Sequence, residues 1–312
     1  MSNLCSVVCV CYNHAQFAAA GLQSIFDQTY RNIEIIVLDD GSTDTSVEVI
    51  EQMLAQSPFK TRFIKQENKG NVPGNFNTAI DAAVGEFVTM MSLDDMLLPD
   101  CIRNAVEILS KSDHITFAAN TGHYEIDKDG KRLTPDTWLP PNSADIRTAA
   151  ELLEIEYESL GAFYIQGQVF RRDALLAVGC FDDTMTGDDI VLRTRLFQHM
   201  IEHPEMTFSL GTDVVLAYRK HGDNLHRNTF RQIKTIIEWK EKYFPDRPYP
   251  DLFYNWLNSL LKKYVRNGMV DELQIALAFN PVIAARYEMY KKTGPFYRHT
   301  IKGNILRLIG RQ

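Results

Sequence analysis

The feature that most constrains the fold is an alternation of short apolar runs with longer amphipathic stretches near the start of the chain. Strands are predicted at residues 4–12, 33–38, 62–65 and 87–91, with helices between them at 15–27, 43–55 and 75–84. Strands separated by helix-length segments form βαβ units, whose helices cover both faces of a sheet. The prediction is therefore an α/β fold with a mostly parallel central sheet flanked by helices.

The pattern changes along the second half of the chain. Residues 122–141 are irregular, and Asp129-Gly130 indicates a hairpin turn between 124–126 and 132–133. After Leu225 no strand pattern remains, and helices are predicted at 230–243, 252–265, 272–279 and 297–309. We therefore expect a large α/β domain over residues 1–225 and a helical C-terminal region over 226–312.

Composition places the chain among globular proteins. It is 45% hydrophobic and 23% charged, and no apolar run approaches the roughly 20 residues that cross a bilayer. No basic region precedes an apolar stretch at the start, so a cytoplasmic location is expected. The cysteines at 5, 9 and 11 share one parity of the first strand and are expected to pack as small apolar residues.

Charge is unevenly distributed. Residues 281–312 carry a net charge of +6, and the rest of the chain is acidic. An acidic body argues against nucleic-acid binding. In the basic tail, Ile301, Ile305, Leu308 and Ile309 lie near one helical face with Lys302, Arg307 and Arg311 around it. This pattern predicts peripheral contact with the inner membrane face or, equally, a packing helix with a solvated basic side.

Polar side chains follow the predicted strands, where ligands bind in open α/β sheets. The first strand runs into Asn13-His14, and the second runs into Asp39-Asp40 followed by Gly41, Ser42, Thr43 and Asp44. Two carboxylates at a sheet edge can accept hydrogen bonds from a base or a ribose. The competing interpretation is a helix cap, because Ser42 or Thr43 can begin the next helix.

A second acidic pair, Asp94-Asp95, follows the fourth strand. Adjacent carboxylates repel unless a cation lies near them, and their oxygens are ligands that Mg²⁺ or Mn²⁺ prefers beside phosphates. Near the end of the predicted domain, His221 follows Arg219 and Lys220. The imidazole at that point can contact a diphosphate or complete the ligand shell of a metal.

A third acidic pair, Asp188-Asp189, stands at the head of a helix-like run. A carboxylate on a rigid helix start has the reach that a general base needs. The same position also favours a carboxylate that only caps the helix, because the helix dipole stabilises negative charge there.

Taken in order, these stretches resemble the family 2 glycosyltransferases of the GT-A fold. The resemblance covers about the first 225 residues and rests on the segments 6–13, 28–30, 39–44, 68–70, 85–87, 98–100, 166–172, 178–182 and 187–189. It implies an inverting transferase of the hexosyl or N-acetylhexosaminyl class that uses Mn²⁺ or Mg²⁺. The donor expected is a nucleotide-diphosphate sugar, with UDP favoured. The acceptor expected is a glycan or polyprenyl-diphosphate-linked glycan of surface polysaccharide, such as O-antigen.

Site residues are carried over from the resemblance position by position. Nucleotide contacts are implied for Val10, Tyr12, Asn13, Asp39, Asp40, Ser42 and Asp95. A metal contact is implied for Asp94, and Asp189 matches the catalytic base with Asp188 beside it. His221 is expected as a further metal ligand from its place after Arg219 and Lys220. Where the family often has Asp-x-Asp-Asp, this chain has Ser92 in the first place, which removes one carboxylate.

Two alternatives remain open at this point. A nucleotide-sugar-binding protein with impaired catalysis would explain Ser92. A sugar nucleotidyltransferase shares the α/β core, but it begins with a Gly-rich phosphate loop, whereas this chain begins its first strand region with Val8-Cys9-Val10-Cys11. No dinucleotide or Walker motif is present, which argues against dehydrogenases and phosphate-loop enzymes.

Overall fold

The computed structural model describes residues 3–138, 145–187, 189–222 and 228–308, without the side chains of 120, 121, 305, 307 and 308. Within it the chain forms two compact units. The first comprises Met1–Glu156 and Gly161–Asn224, and the second comprises Tyr157–Leu160 and Leu225–Gln312.

The first unit is built on one eight-stranded sheet. Its strands are β1 (Cys5–Cys11), β2 (Ile33–Asp39), β3 (Lys60–Lys65), β4 (Phe87–Ser92), β5 (Met96–Leu97), β6 (Ile115–Ile126), β7 (Val169–Arg171) and β8 (Thr207–Arg219). The helices up to β8 are α1 (Ala15–Phe26), α2 (Ser46–Leu54), α3 (Val72–Asp81), α4 (Cys101–Leu109), α5 (Ala149–Ser159), α6 (Arg172–Ala177) and α7 (Asp189–Glu202). The strand order is β3-β2-β1-β4-β7-β6-β8-β5.

The predicted parallel sheet is confirmed in its first half. β1 pairs in parallel with both β2 and β4, which places Cys11 beside Asp39 and Val10 beside Ser92. The carboxyl ends of these three strands therefore meet at one edge. The other half is mixed, because β7 pairs antiparallel with both β4 and β6, while β6 pairs in parallel with β8.

Apolar side chains cover both faces of the sheet. One face packs the cysteines of β1 against α1 and α4, and the other packs Val8 and Ile36 against α3 and α7. Cys5, Cys9 and Cys11 are buried free thiols, and burial raises their pKa values. They pack as small apolar residues, as the strand parity predicts.

The longest departure from the sequence-based prediction is β6. The hairpin at Asp129-Gly130 is confirmed by the bridge between Ile126 and Arg132, and Gly130 adopts a positive φ of 84°. The strand before it, however, begins at Ile115 and continues to the hairpin. Small and polar residues dilute its apolar pattern, and its pairing with β8 contains register shifts, so periodicity alone does not identify it.

The second unit is helical in its described part, as predicted. It contains α8 (Thr229–Tyr243), α9 (Asp251–Asn267), α10 (Val270–Phe279), α11 (Pro281–Lys291) and α12 (Gly294–Leu308). Gly303 of α12 packs so closely on the end of α9 that a Cβ there would collide with the carbonyl oxygen of Val265. In the part of the chain that the structure describes, no helix is long and apolar enough to cross a membrane.

Candidate active site

The ends of β1 and β2 are joined by a network of short-range polar contacts. Asn13 has a positive φ of 55°, and its side-chain oxygen accepts from the backbone N–H of Thr43 (2.8 Å). Its own N–H donates to the hydroxyl of Ser42 (2.8 Å), and Ser42 in turn donates its N–H to Asp39 (2.9 Å). These bonds hold the two strand ends in one geometry. Tyr12, the residue before Asn13, is 44% exposed.

Asp40 is fixed from the neighbouring segment. Its carboxylate is buried and accepts from Gln66 Nε2 (2.8 Å) and from the backbone N–H of Lys69 (3.0 Å). The next residue, Gly41, has a φ of 70°, and a Cβ there would stand 2.5 Å from the backbone nitrogen of Asn68. The tight turn therefore requires glycine and holds Asp40 at the sheet edge.

We call this group the strand-end network. It consists of Asn13, Asp39, Asp40, Ser42 and Gln66. Its carboxylates accept hydrogen bonds from neighbouring protein groups, so the polar side chains at this sheet edge are held in place by the protein itself. The nucleotide contacts expected of Val10, Tyr12, Asn13, Asp39, Asp40 and Ser42 stay predictions.

Asp94 has a different environment at the end of β4. Its Oδ2 lies 3.0 Å from Nε2 of His221, whereas its Oδ1 is buried and has no hydrogen-bond partner among the described residues. Burial alone would raise the pKa of this carboxyl, but the hydrogen bond to His221 and the nearby His14 hold it below the ordinary value. The hydroxyl of Ser92 also favours the ionised form. Asp94 is therefore a buried carboxylate with one open oxygen.

His14 is the residue of this site that sequence reasoning missed. Its ring centroid lies 6.4 Å from that of His221, and Phe17 packs 4.8 Å from the His221 ring. Nδ1 of His14 is buried and has no hydrogen-bond partner among the residues that the structure describes. Burial lowers the pKa of His14, so the ring is neutral at pH 7 and keeps a lone pair. Its only sequence signal is its place directly after the first strand.

Asp95, the residue after Asp94, fixes the end of β8. Its Oδ1 accepts from the backbone N–H of Arg219 (2.7 Å), and the carboxyl is 1% exposed. Burial and the adjacent Asp94 raise the pKa of Asp95. The guanidinium of Arg219 donates to the carbonyl of Asp94 (2.7 Å) and stacks 5.0 Å from the ring of Phe17. The ribose contact expected of Asp95 stays a prediction.

Asp189 begins α7, and its side chain is 33% exposed. Its Oδ2 lies 3.6 Å from Nη1 of Arg193, one helical turn later. Arg193 is itself fixed by two bonds of 2.9 Å to the buried carboxylate of Glu156, so the start of α7 is anchored. Asp188, the other expected catalytic acid, lies outside the described residues.

The fold brings the acidic pairs toward common neighbours. Tyr218, at the end of β8, has its pKa raised by burial, with further contributions from the carboxylates of Asp95, Asp94 and Asp189. Residues 94 and 189 are far apart in sequence, and both belong to the first unit. The residue after Tyr218, Arg219, bonds to Asp94 and Asp95.

Few side chains near Asp94 can serve as ligands of a divalent cation. No group of three or more His, Cys, Asp or Glu side chains is placed to hold a metal within the described ranges. Asp94 nevertheless offers its unpaired Oδ1 as an oxygen ligand, and His221 offers Nε2 once its contact with Oδ2 is released, a fit for a cation whose other ligands come from a phosphate group.

Comparison with known proteins identifies relatives of the sequence. Residues 6–176, more than half of the chain, match the sequence profile described as "Glycosyl transferase family 2". An uncharacterized glycosyltransferase from Nostoc is 40% identical over 108 residues, which are 35% of this chain and 33% of the relative. Glycosyltransferase GlyG of Streptococcus pneumoniae is 35% identical over 125 residues, which are 40% of this chain and 41% of the relative. The matches thus span well under two thirds of these relatives' lengths.

Solved structures share the fold. A mannosyltransferase from Pyrobaculum calidifontis, in complex with GDP-Man and Mn²⁺, superposes with a TM-score of 0.57 at 17% identity, covering 98% of this chain and 86% of that one. TarS of S. aureus, in complex with UDP-GlcNAc, has a TM-score of 0.57 at 14% identity, covering 98% of this chain and 92% of that one. At these identities the likeness shows the fold alone, and it agrees with the mixed, mostly parallel sheet flanked by helices.

Proposed function

The chain belongs to glycosyl transferase family 2, and we propose that it transfers a sugar from a nucleotide-diphosphate sugar to a hydroxyl of a glycan or lipid-linked glycan, with inversion and with a divalent metal. A UDP-sugar is the favoured donor, because the solved relative TarS holds UDP-GlcNAc, although the mannosyltransferase holds GDP-Man. Surface polysaccharide such as O-antigen or capsule is the proposed product class. The first unit carries the chemistry in this proposal.

The observation that carries the proposal is the open oxygen of Asp94. A buried carboxylate oxygen without a partner costs free energy unless a ligand completes it. Asp94 lies at the carboxyl end of β4, where open α/β sheets bind ligands, and His221 stands 3.0 Å from its other oxygen. Such a site is expected to bind a cation together with the diphosphate of the donor.

The chain's own residues have separate roles in the mechanism. In this proposal Asp39 and Asp40 bind the base and ribose at the strand-end network, and Asp94 and His221 would hold Mn²⁺ or Mg²⁺. When bound, the cation neutralises charge on the departing diphosphate. Asp189 accepts the proton of the acceptor hydroxyl as that oxygen bonds to the anomeric carbon. Arg193, 3.6 Å away, favours the ionised form of Asp189 that this role needs.

A thermal-shift screen tests the donor and the metal together. The full chain is heated with UDP, GDP and their sugars, with and without Mn²⁺, because a ligand that binds only the folded state raises the melting temperature. We expect one nucleotide series to stabilise the protein only when Mn²⁺ is present. Stabilisation by no nucleotide, or stabilisation independent of the metal, would contradict the proposed donor site.

The variant Asp189→Asn separates binding from catalysis. It keeps the size of the side chain but cannot accept the proton, so turnover should fall by about 10²-fold or more while donor binding is retained. Release of nucleoside diphosphate from the stabilising donor measures turnover. Equal turnover in the wild type and the variant would remove Asp189 from the catalytic role. A wild-type protein that binds donor without turnover would support the alternative of a binding protein with impaired catalysis.

For the second unit we propose peripheral contact with an anionic membrane, where a polyprenyl-linked acceptor would be available. Tyr297 and Ile301 on α12 are 64% and 62% exposed, and Lys302 beside them is exposed too. Exposed apolar groups among basic ones favour binding to anionic lipid surfaces. The side chains of Ile305, Arg307 and Leu308, and all of Ile309 and Arg311, lie outside the described part of α12.

Liposome co-sedimentation tests this contact. Tyr297→Ser/Ile301→Ser should reduce binding to vesicles with anionic lipid and leave the weak binding to neutral vesicles unchanged. The matched control is Ile275→Ser, because Ile275 on α10 is equally exposed at 61%. Equal sedimentation of the wild type and the α12 variant would contradict membrane contact and leave α12 as a packing helix.

A further inference from the structure

Four rings of the first unit form a cluster that the proposed mechanism does not use. Trp138 stacks on His123 with centroids 5.0 Å apart, and meets Tyr164 edge-on at 5.4 Å and 88°. Tyr164 in turn lies 5.8 Å from Tyr218. We call these four residues the aromatic platform.

The platform is rigid and partly open. His123 and Trp138 exchange backbone hydrogen bonds in both directions, at 3.1 and 2.8 Å, so the indole is held by main chain as well as by stacking. His123 is 3% exposed and forms the floor, whereas Trp138 is 39% exposed. Proteins bury large aromatic rings where they can, so a fixed indole left open beside an active site indicates a binding surface.

Residues next to the platform in the chain bond to the turn that carries Asp94. The backbone N–H that follows Tyr218 in the chain donates to Asp95 (2.7 Å). Tyr164 precedes Gln166 by two residues, and Oε1 of Gln166 accepts from the backbone N–H of Ser92 (3.1 Å). Tyr218 and Tyr164 are therefore one and two residues away from groups that bond to this turn.

A chain of contacts links the platform's neighbour Phe163 to the proposed base. Phe163, next to Tyr164, lies 5.6 Å from the guanidinium of Arg193, which pairs with Asp189 at 3.6 Å. Burial raises the pKa values of Tyr164 and Tyr218, and the carboxylate of Asp189 adds to both. A molecule resting on the platform would thus lie near the carboxylate that takes the acceptor's proton.

Polar groups border the platform. Glu125 and Lys220 form an ion pair of 3.1 Å, with side chains 39% and 34% exposed, and the ammonium lies 4.9 Å from the ring of Tyr218. A partner with one apolar face and a rim of hydroxyls can use both features, since its C–H groups stack on the rings and its hydroxyls bond to the ion pair. A pyranose ring has this chemistry.

We propose that the aromatic platform binds a pyranose ring of the acceptor and that Trp138 is its main contact. This inference rests on the proposed glycosyl transfer and assigns the acceptor's sugar ring to these four side chains. A nucleotide base is a poorer match, because the proposed base site lies at the ends of β1 and β2. The donor sugar is the competing occupant, and the experiment below distinguishes it.

Saturation-transfer NMR with methyl pyranosides tests the platform on the full chain. The probes are the methyl glycosides of glucose, galactose, mannose and N-acetylglucosamine, with Mn²⁺-free buffer to avoid paramagnetic loss. We expect at least one to bind the wild type and Trp138→Phe, and to bind Trp138→Ala at least about fivefold more weakly. Ile275→Ala, which removes an exposed apolar side chain from the second unit, is the matched control and should bind as the wild type does.

Each other outcome overturns the assignment. It is wrong if no pyranoside binds the wild type, or if Trp138→Ala binds equally well while its melting temperature shows that it is folded. In parallel, the thermal shift with UDP and GDP and with their sugars is measured for Trp138→Ala with Mg²⁺. A loss confined to the sugar nucleotides would assign the platform to the donor sugar. Failure of the wild type to bind any nucleotide would count against the proposed function, independently of the pyranoside result.

Discussion

Two groups of acidic residues lie at the same edge of the sheet and differ in how their oxygens are satisfied. In the strand-end network, Asp39 and Asp40 accept hydrogen bonds from protein groups of neighbouring segments. At the end of β4, Asp94 keeps a buried oxygen without a partner among the described residues, and Nδ1 of His14 nearby is in the same condition. The carboxylates of the first group already accept hydrogen bonds from the protein before a nucleotide binds, whereas the second group has buried atoms that only a ligand can pair.

Within one site, this difference separates a scaffold of carboxylates that the protein already holds in place from a carboxylate that still lacks a partner. Hydrogen bonds that protein groups already supply keep the strand ends in place before any donor arrives. Unsatisfied groups are where binding gains the most free energy, because the desolvation penalty has already been incurred in folding. The same substitution, aspartate to asparagine, should therefore have opposite consequences in the two groups.

The largest effect is expected for Asp94→Asn. The amide is a much weaker metal ligand than the carboxylate, so kcat/KM should fall by about 10³-fold, which corresponds to about 4 kcal/mol. Without metal, the melting temperature should stay close to that of the wild type, because Oδ1 has no protein partner to lose. Kinetics at a series of Mn²⁺ concentrations and thermal melts measure both effects, with Glu107→Gln on the exposed face of α4 as the control. Unchanged kinetics would remove Asp94 from the metal site.

Asp39→Asn is expected to have a smaller effect, and on the stability of the fold rather than on kcat/KM. Asp39 is 1% exposed and accepts from both the backbone and the hydroxyl of Ser42, at 2.9 and 2.5 Å. Asparagine keeps one oxygen acceptor and places an N–H donor where the other oxygen was, so one of the two bonds is lost and the free energy of unfolding should fall by about 2 kcal/mol. Urea unfolding of the ligand-free chain measures this, and Glu48→Gln, an exposed acid on α2, is the control. If Asp39→Asn were as stable as the wild type, the strand-end network would not be the scaffold described above.

The smallest effect is expected for His14→Gln. Since Nδ1 makes no hydrogen bond among the described residues, the ligand-free stability should not change, but loss of the neutral imidazole beside Asp94 and His221 should lower kcat/KM by about tenfold. The control is Gln16→Ala, an exposed residue two positions along the chain. A drop in stability with unchanged kinetics would move His14 from the chemical group to the scaffold.

Much of the first unit was predictable because its information is local. The alternation of apolar and amphipathic segments gives the βαβ units, and acids directly after strands must lie at the carboxyl edge. The same reasoning predicts the turn at Gly130 and the helices α8, α9, α10 and α12 of the second unit, but it does not predict α11 (Pro281–Lys291). The strand β6 is harder to predict, because its small and polar residues are stabilised by pairing with β8, almost a hundred residues later in sequence.

The sequence by itself determined the family, the α/β fold and the set of carboxylates from which the site is built. Only the tertiary structure decided which of these carboxylates have hydrogen-bond partners within the protein. Asp95 accepts a hydrogen bond from the backbone N–H of Arg219, and Asp40 accepts one from Gln66. Asp94 contacts the imidazole of a residue 127 positions away and has one oxygen without a partner among the described residues. Hydrogen-bond satisfaction depends on partners that folding brings from distant segments, so adjacent and identical residues such as Asp94 and Asp95 can have opposite roles.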